Sequence, residues 1–197
     1  MGLTVRRLRP ARSWALVVVD MSYGFTDPTR SPLAAECENV VHANQRILAS
    51  FRERGRPVVF TTVAYSSAEQ ASVFREKLEE LEVLRADSDL VAIDSRLAPQ
   101  ANEPVIVKRA VSAFYGTDLA DRLDAWGVEG VVVTGLSTSG CVRGTVVDAL
   151  QHNYRVVVPC EAVGDRDADA HAINLRDMNT KYADVLSLSY TLSILRG

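Results

Sequence analysis

The stretch Glu129-Gly130-Val131-Val132-Val133-Thr134-Gly135-Leu136-Ser137-Thr138-Ser139-Gly140-Cys141 holds the key to the fold. Glu129–Thr134 is a short run of mostly β-branched side chains and reads as a strand buried on both faces. The Gly/Ser/Thr-rich segment that follows reads as a turn. Val142–His152 then reads as a helix. A strand apolar on both faces that leads through a turn into a helix is the building unit of a parallel sheet covered on both sides.

The same unit recurs in both directions along the chain. Trp14–Val19 (WALVVV) is a buried strand that stops at Asp20. Glu36–Arg54 has helical periodicity and ends at Gly55, and Pro57–Val63 is the next strand. Ala68–Leu84 is charged and helix-prone. Pro104–Val107 is a short strand ending at Lys108, and Thr117–Trp126 is a helix closed by Gly127. Arg155–Val158 is a strand, Ala168–Tyr182 a helix and Val185–Leu188 a last strand. Asp87–Asn102 lacks a period and reads as a long loop. With right-handed crossovers, the 197 residues are expected to form one domain of the α/β class. Its doubly wound, Rossmann-like parallel sheet carries helices on both faces, and a solvated arm over Met1–Arg12 precedes it.

Composition narrows the function. Hydrophobic residues make up 47% and charged residues 24%, with a net charge of −3. These are values of an ordinary globular protein, and with no basic stripe beyond the N-terminus no nucleic-acid partner is expected. No apolar run reaches the ~18 residues of a membrane span. The pair Arg6–Arg7 is followed only by the short run Trp14–Val19 before Asp20, so it does not read as an export signal, and Arg6 breaks the N-myristoylation pattern. A cytoplasmic location is expected. Three cysteines, Cys37, Cys141 and Cys160, are odd in number and far apart, which is not a disulfide framework. No C-x-x-C or H-x-x-x-H spacing signals a metal.

In open α/β sheets ligands bind outside the carboxyl ends of the strands. The positions to inspect are therefore Asp20, Val63–Ser67, Lys108, Gly135–Cys141 and Cys160–Arg166. Cys141 falls at a helix N-terminus, where free N–H groups and the helix dipole favour a thiolate and offer donors to an oxyanion. Asp20 would supply a proton acceptor, and Lys108 could pair with both. Only three of the 22 basic residues are lysines, Lys77, Lys108 and Lys181. Each candidate also has an ordinary structural reading: a small buried thiol, a turn-capping carboxylate, a solvated ammonium. Spacing alone does not make the three converge.

Three blocks add a resemblance. They are Val17-Val18-Val19-Asp20-Met21 with Pro28, then Val107-Lys108 with Ser112-Ala113-Phe114-Tyr115-Gly116-Thr117-Asp118-Leu119, then Thr134-Gly135-Leu136-Ser137-Thr138-Ser139-Gly140-Cys141-Val142-Arg143. Together they resemble the signature blocks of isochorismatase-like cysteine hydrolases, nearest the N-carbamoylsarcosine amidase and maleamate amidase branch, over about Trp14 to Leu188. The resemblance implies an Asp–Lys–Cys triad on Asp20, Lys108 and Cys141. It also implies a cis peptide at Leu136–Ser137, which would aim the Ser137 N–H beside that of Cys141 to form an oxyanion hole. Leu-Ser stands here where relatives often carry a smaller residue and Thr. In Glu161-Ala162-Val163-Gly164-Asp165-Arg166, the resemblance assigns Arg166 to a substrate carboxylate, a task that suits a guanidinium. Phe25 and Tyr115 are candidates for the pocket lining. Arg143 is read as structural, His42, His152 and His171 as surface or core residues, and Cys37 and Cys160 as inert.

Nicotinamidases of this superfamily carry an Asp-x-His metal motif after the second strand. Val63-Ala64-Tyr65-Ser66-Ser67 stands there without histidine, so no zinc is expected. The implied activity is cofactor-free hydrolysis of a small carboxylate-bearing amide or N-carbamoyl compound, by a homo-oligomer, dimer or tetramer. Two alternatives stand beside it: an isochorismatase-type vinyl ether hydrolysis with Asp20 as acid, and a non-catalytic binding or assembly module.

Overall fold

A computed structural model describes residues 4–196. In chain order the elements are β1 (Trp14–Val19), α1 (Tyr23–Thr26), α2 (Glu38–Glu53), β2 (Val58–Val63), α3 (Ser72–Lys77), β3 (Val105–Lys108), α4 (Leu119–Ala125), β4 (Gly130–Leu136), α5 (Arg143–Gln151), β5 (Arg155–Pro159), β6 (Val163–Gly164), α6 (Ala168–Lys181), β7 (Asp184–Leu186) and α7 (Leu188–Ile194). The strands form one seven-stranded sheet in the order β3-β2-β1-β4-β5-β7, with β6 on β4. Every pairing is parallel.

The alternation of side chains along a strand splits the core into two layers. Trp14, Leu16 and Val18 of β1 pack with Ile47, Leu48 and Phe51 of α2 and with Leu188 of α7. Ala15, Val17 and Val19 pack on the other face with Leu119 and Leu123 of α4, Val146 of α5 and Met178 of α6. This is the single-domain, doubly wound α/β architecture that the sequence implies.

The chain runs outward from β1 through β2 to β3, then returns to place β4 on the other side of β1. The switch point of the topology therefore lies between β1 and β4, where a crevice is expected at the carboxyl edge. Register fixes what meets there: Val19 is the partner of Gly135, which puts Asp20 level with the start of the Gly/Ser/Thr turn. Gly135 has φ 107°, and a Cβ on it would lie 1.9 Å from the Val19 carbonyl oxygen. Only glycine allows this approach and this φ.

Some elements differ from the sequence reading. Ala68–Leu84 is not one helix. Ala71 is left-handed and Leu78 leaves the helical region, so α3 is confined to Ser72–Lys77 and a 3-10 turn covers Glu79–Val83. Local propensity is helical here, but tertiary contacts win. Arg75 donates to the carbonyls of Ser67, Ala68 and Gln70 and pairs with Glu82, while Leu81 and Leu84 are drawn into the core. β3 is an edge strand with Val105 and Val107 exposed, so it is not apolar on two covered faces. The last strand stops at Leu186, and Ser187 caps α7 through its hydroxyl, a helix the sequence reading did not include. β6 and α1 are too short to carry a period.

Residues 4–10 run largely exposed before the buried Ala11, and Leu8 N–H donates to Asp184 Oδ2 at 3.0 Å. Met1–Leu3 of the expected arm lie outside the described residues. None of the described helices is long and apolar enough to cross a membrane.

Candidate active site

Three strand ends bring Asp20, Lys108 and Cys141 together. Lys108 Nζ lies 2.8 Å from Asp20 Oδ2, with both side chains fully buried, and donates to Cys141 Sγ at 3.2 Å. It also donates to the carbonyls of Ala110 at 2.8 Å and Val111 at 3.1 Å. β1 and β3 are separated by β2, roughly 10 Å at the usual strand spacing. The four-carbon stem of lysine spans much of that distance.

Asp20 is held from two sides. Its backbone is left-handed, φ 50°, which turns the carboxylate off the end of β1. Its N–H donates to the Thr61 carbonyl at 3.1 Å, and its Oδ1 accepts from Thr61 Oγ1 at 2.6 Å. Oδ2 approaches the ammonium but accepts no aligned hydrogen bond.

Cys141 sits in a wide π-type turn, Thr138–Val142, that runs into α5. The Leu136–Ser137 peptide before it is cis, and Gly140 adopts φ −107°, ψ −106°. Gly140 and Val142 N–H groups both donate to the Ser137 carbonyl at 3.1 Å. Outside contacts hold the turn. Thr138 Oγ1 lies 2.8 Å from His171 Nδ1 of α6, and Ser139 N–H donates to Asp165 Oδ2 at 2.7 Å. Thr145 Oγ1 donates to the Cys141 carbonyl and accepts from Ala113 N–H, tying α5 to the segment after Lys108.

The electrostatics of the cluster act against the helix-end preference for a thiolate. Burial pushes the Cys141 thiol up to about 12, Lys108 pulls it down, and Asp20 pushes it up. This balance favours the protonated thiol despite the helix end, because a thiolate would add a net negative charge to a buried site already balanced by Asp20 and Lys108. Burial alone would lower the Lys108 ammonium, but the neighbouring Asp20 and Cys141 outweigh it and hold it above its ordinary range.

The other candidates spread out. Arg166 is exposed, and its Nη1 donates to the Leu33 carbonyl. Phe25 is buried in the core layer of Met21 and Leu33. Tyr115 is 73% exposed and borders a cleft of about 530 Å³ with Phe74, Arg109, Ala110 and Val111. The carbonyls of that wall hold Lys108, which makes it the cleft next to the cluster. Arg143 pairs with Asp177 at 3.2 Å, joining α5 to α6. His42 meets Glu38, and His152 stacks on Phe114. Cys37 Sγ contacts the Thr26 carbonyl, and burial raises its thiol to about 11. Cys160 contacts Glu161. The sequence reading missed Thr61, Asp165 and the contact of His171 with the turn. The available signals were position alone: Thr61 inside β2, Asp165 just after β6 and His171 on the helix after β6.

The isochorismatase domain model matches residues 14–189. The chain belongs to the isochorismatase family. Maleamate amidohydrolase of Pseudomonas putida is 37% identical over 99% of this chain and 92% of its own length. N-carbamoylsarcosine amidase of an Arthrobacter species is 33% identical over 96% of this chain and 74% of its own. Among solved structures, a cysteine hydrolase from Pseudomonas syringae pv. phaseolicola superposes with a TM-score of 0.93 over 100% of this chain and 99% of that one, at 23% identity. That likeness speaks for the fold. The protein is thus an isochorismatase-family hydrolase, and the two curated relatives are both named for amide cleavage.

Proposed function

We propose that the protein is a cysteine-dependent amidohydrolase that releases ammonia from a small carboxylate-bearing amide or N-carbamoyl compound. The observation that carries this reading is the sealed cluster of one thiol, one ammonium and one carboxylate, in which Sγ lies 3.2 Å from Nζ and Nζ lies 2.8 Å from Oδ2. The names of the two relatives support the amide bond as the target.

The reaction starts from the neutral thiol. As Sγ attacks the amide carbon, its proton passes to Asp20 Oδ2, and Lys108 compensates the negative charge that moves through the site. The carbonyl oxygen becomes an oxyanion and is received by the Ser137 and Cys141 N–H groups. Asp20 returns the proton to the amide nitrogen, the C–N bond breaks, and ammonia leaves a thioester or thiocarbamate. Asp20 then deprotonates a water that attacks the acyl carbon, and the proton returns to sulfur as it departs. Each proton removed is delivered, so no cofactor is needed. Arg166, with one nitrogen anchored on Leu33, keeps the rest of its fork for the substrate carboxylate. The protein acts in the cytoplasm as a homo-oligomer.

The test is ammonia release from maleamate and N-carbamoylsarcosine by wild type, Cys141→Ser and Cys141→Ala. Both variants should stay folded and lose at least ~10³-fold in kcat, and iodoacetamide should label the wild-type thiol and abolish turnover. Near-normal turnover by either variant would remove the covalent mechanism.

A further inference from the structure

Tyr65 carries the strongest unused chemistry in the molecule. It follows β2 by two residues, and the residue at the end of that strand, Val63, is the register partner of Lys108. The side chain is buried, and its hydroxyl has no hydrogen-bond partner among the described residues. A buried polar group without a partner is costly and calls for a reason. Its position is nonetheless firmly built. Tyr65 N–H donates to the Leu84 carbonyl and its own carbonyl accepts from Ala86 N–H, both at 2.9 Å. The Arg75 guanidinium covers the ring face at 5.0 Å and is itself clamped by Glu82 and by loop carbonyls. Tyr65 also lines a cleft of about 460 Å³ with Ser66, Ser67 and Arg85.

The strand order gives this hydroxyl a task. Across the carboxyl edge the chain presents Tyr65 after β2, Asp20 after β1, Cys141 after β4 and Arg166 after β6, in that spatial sequence. A linear substrate with its carboxylate at Arg166 and its scissile carbon at Cys141 would extend along this edge in the direction of Tyr65. We infer that Tyr65 is a substrate-binding residue specific for nitrogen leaving groups, its hydroxyl oxygen accepting an N–H of the scissile amide. This rests on the amidohydrolase reading above. Burial raises the phenol to about 12, against the lowering effect of Lys108, so Tyr65 stays neutral: it accepts the N–H and does not compete with Asp20 for the thiol proton.

The experiment compares Tyr65→Phe with wild type on two substrates. One is whichever of maleamate and N-carbamoylsarcosine the wild type hydrolyses. The other is its counterpart with methoxy in place of the terminal NH2, which has no N–H to offer. The expected result is a loss of about 10–100-fold in kcat/KM on the amide, the scale of one hydrogen bond to a nitrogen gaining charge, with the methoxy compound changed by less than about 3-fold. Iodoacetamide labelling of Cys141 should be unchanged. Tm should be equal or higher, since a tyrosine retained for an internal hydrogen bond would lose stability on this change and an unpartnered one does not. Equal losses on both substrates, slower labelling, or amide turnover within about 2-fold of wild type would each overturn the assignment. A wild type that releases no ammonia and leaves Cys141 unlabelled would refute the parent reading, and the role of Tyr65 with it. Wild-type turnover with a null effect in Tyr65→Phe would refute the tyrosine alone.

Discussion

Replacing Lys108 by methionine keeps the length of the side chain and removes its charge. Both partners of the Asp20–Lys108 pair are fully buried, so the substitution strands the Asp20 carboxylate in a medium that cannot solvate it. Breaking a buried ion pair from one side costs about 3–5 kcal/mol. The carbonyls of Ala110 and Val111 lose their Nζ donor as well, which places the expectation at the upper end. For a domain of this size each kcal/mol lowers Tm by about 2–4 °C, so Lys108→Met should melt about 6–20 °C below wild type. The same change removes the one neighbour that pulls the Cys141 thiol down, and iodoacetamide labelling should slow.

The assay is a double-mutant cycle by thermal and urea unfolding with Lys108→Met, Asp20→Asn and the pair of substitutions together. Asp20→Asn alone leaves an unpaired ammonium, and the combined variant leaves neither charge of the pair. The combined variant should therefore be more stable than the sum of the singles, by a coupling within about 0.5–3 kcal/mol, and more stable than Lys108→Met alone. If Lys108→Met melts within about 2 °C of wild type, or if the combined variant is no better than it, the pair is not a desolvated ion pair and the charge argument for the resting thiol fails.

Gly135→Ala should be destabilised by about 3–5 kcal/mol or fail to accumulate as soluble protein, because its Cβ meets the Val19 carbonyl oxygen at 1.9 Å; a Tm near that of wild type would refute the register of β1 on β4. Asp94 ties the irregular segment after α3 to α1 through Thr26, and its carboxylate also accepts from Arg96 two residues on. Burial alone would raise its carboxyl, but the hydrogen bonds from Arg96 and Thr26 outweigh that and hold it below the usual carboxylate range. Its folded value therefore lies below the unfolded one of about 3.9, the stabilisation is present above about pH 4, and it is lost as pH falls through the folded value. The stability gap between wild type and Asp94→Asn, read from urea midpoints, should then narrow between pH 7 and pH 3, and a gap independent of pH would refute the coupling. Arg166→Lys should be impaired on a carboxylate-bearing amide although it keeps the charge, since the planar fork is lost. Arg166→Ala should lose more in kcat/KM on that amide than on a neutral analogue; equal losses on both would make Arg166 a scaffold residue.

The fold was legible because its strands are buried on both faces. Runs such as Trp14–Val19 and Gly130–Leu136 are mostly apolar, buried at every position and set between helices, and that pattern has few solutions other than a covered parallel sheet. The reading failed where tertiary contacts overrode local propensity, as at Ala68–Leu84, and where an element was shorter than a helical or strand period, as in β6. Strand ends pointed to Asp20, Lys108 and Cys141, and the structure brings these three side chains into contact. Thr61, Asp165 and His171 stayed hidden because what matters about them is register and strand order. Asp20 meets Thr61 only because β1 lies beside β2, and Thr138 meets His171 only because α6 returns over the turn. The state of the thiol is the sharpest case. A local rule, the helix N-terminus, favours a thiolate at Cys141. Whether it prevails depends on two charges brought in by strands far away in the chain, the nearer of them 33 residues before the thiol, and on a burial that only the closed sheet creates. Once Asp20 and Lys108 neutralise each other in that enclosure, a third charge on sulfur has no partner. Burial and Asp20 therefore raise the thiol further than Lys108 lowers it.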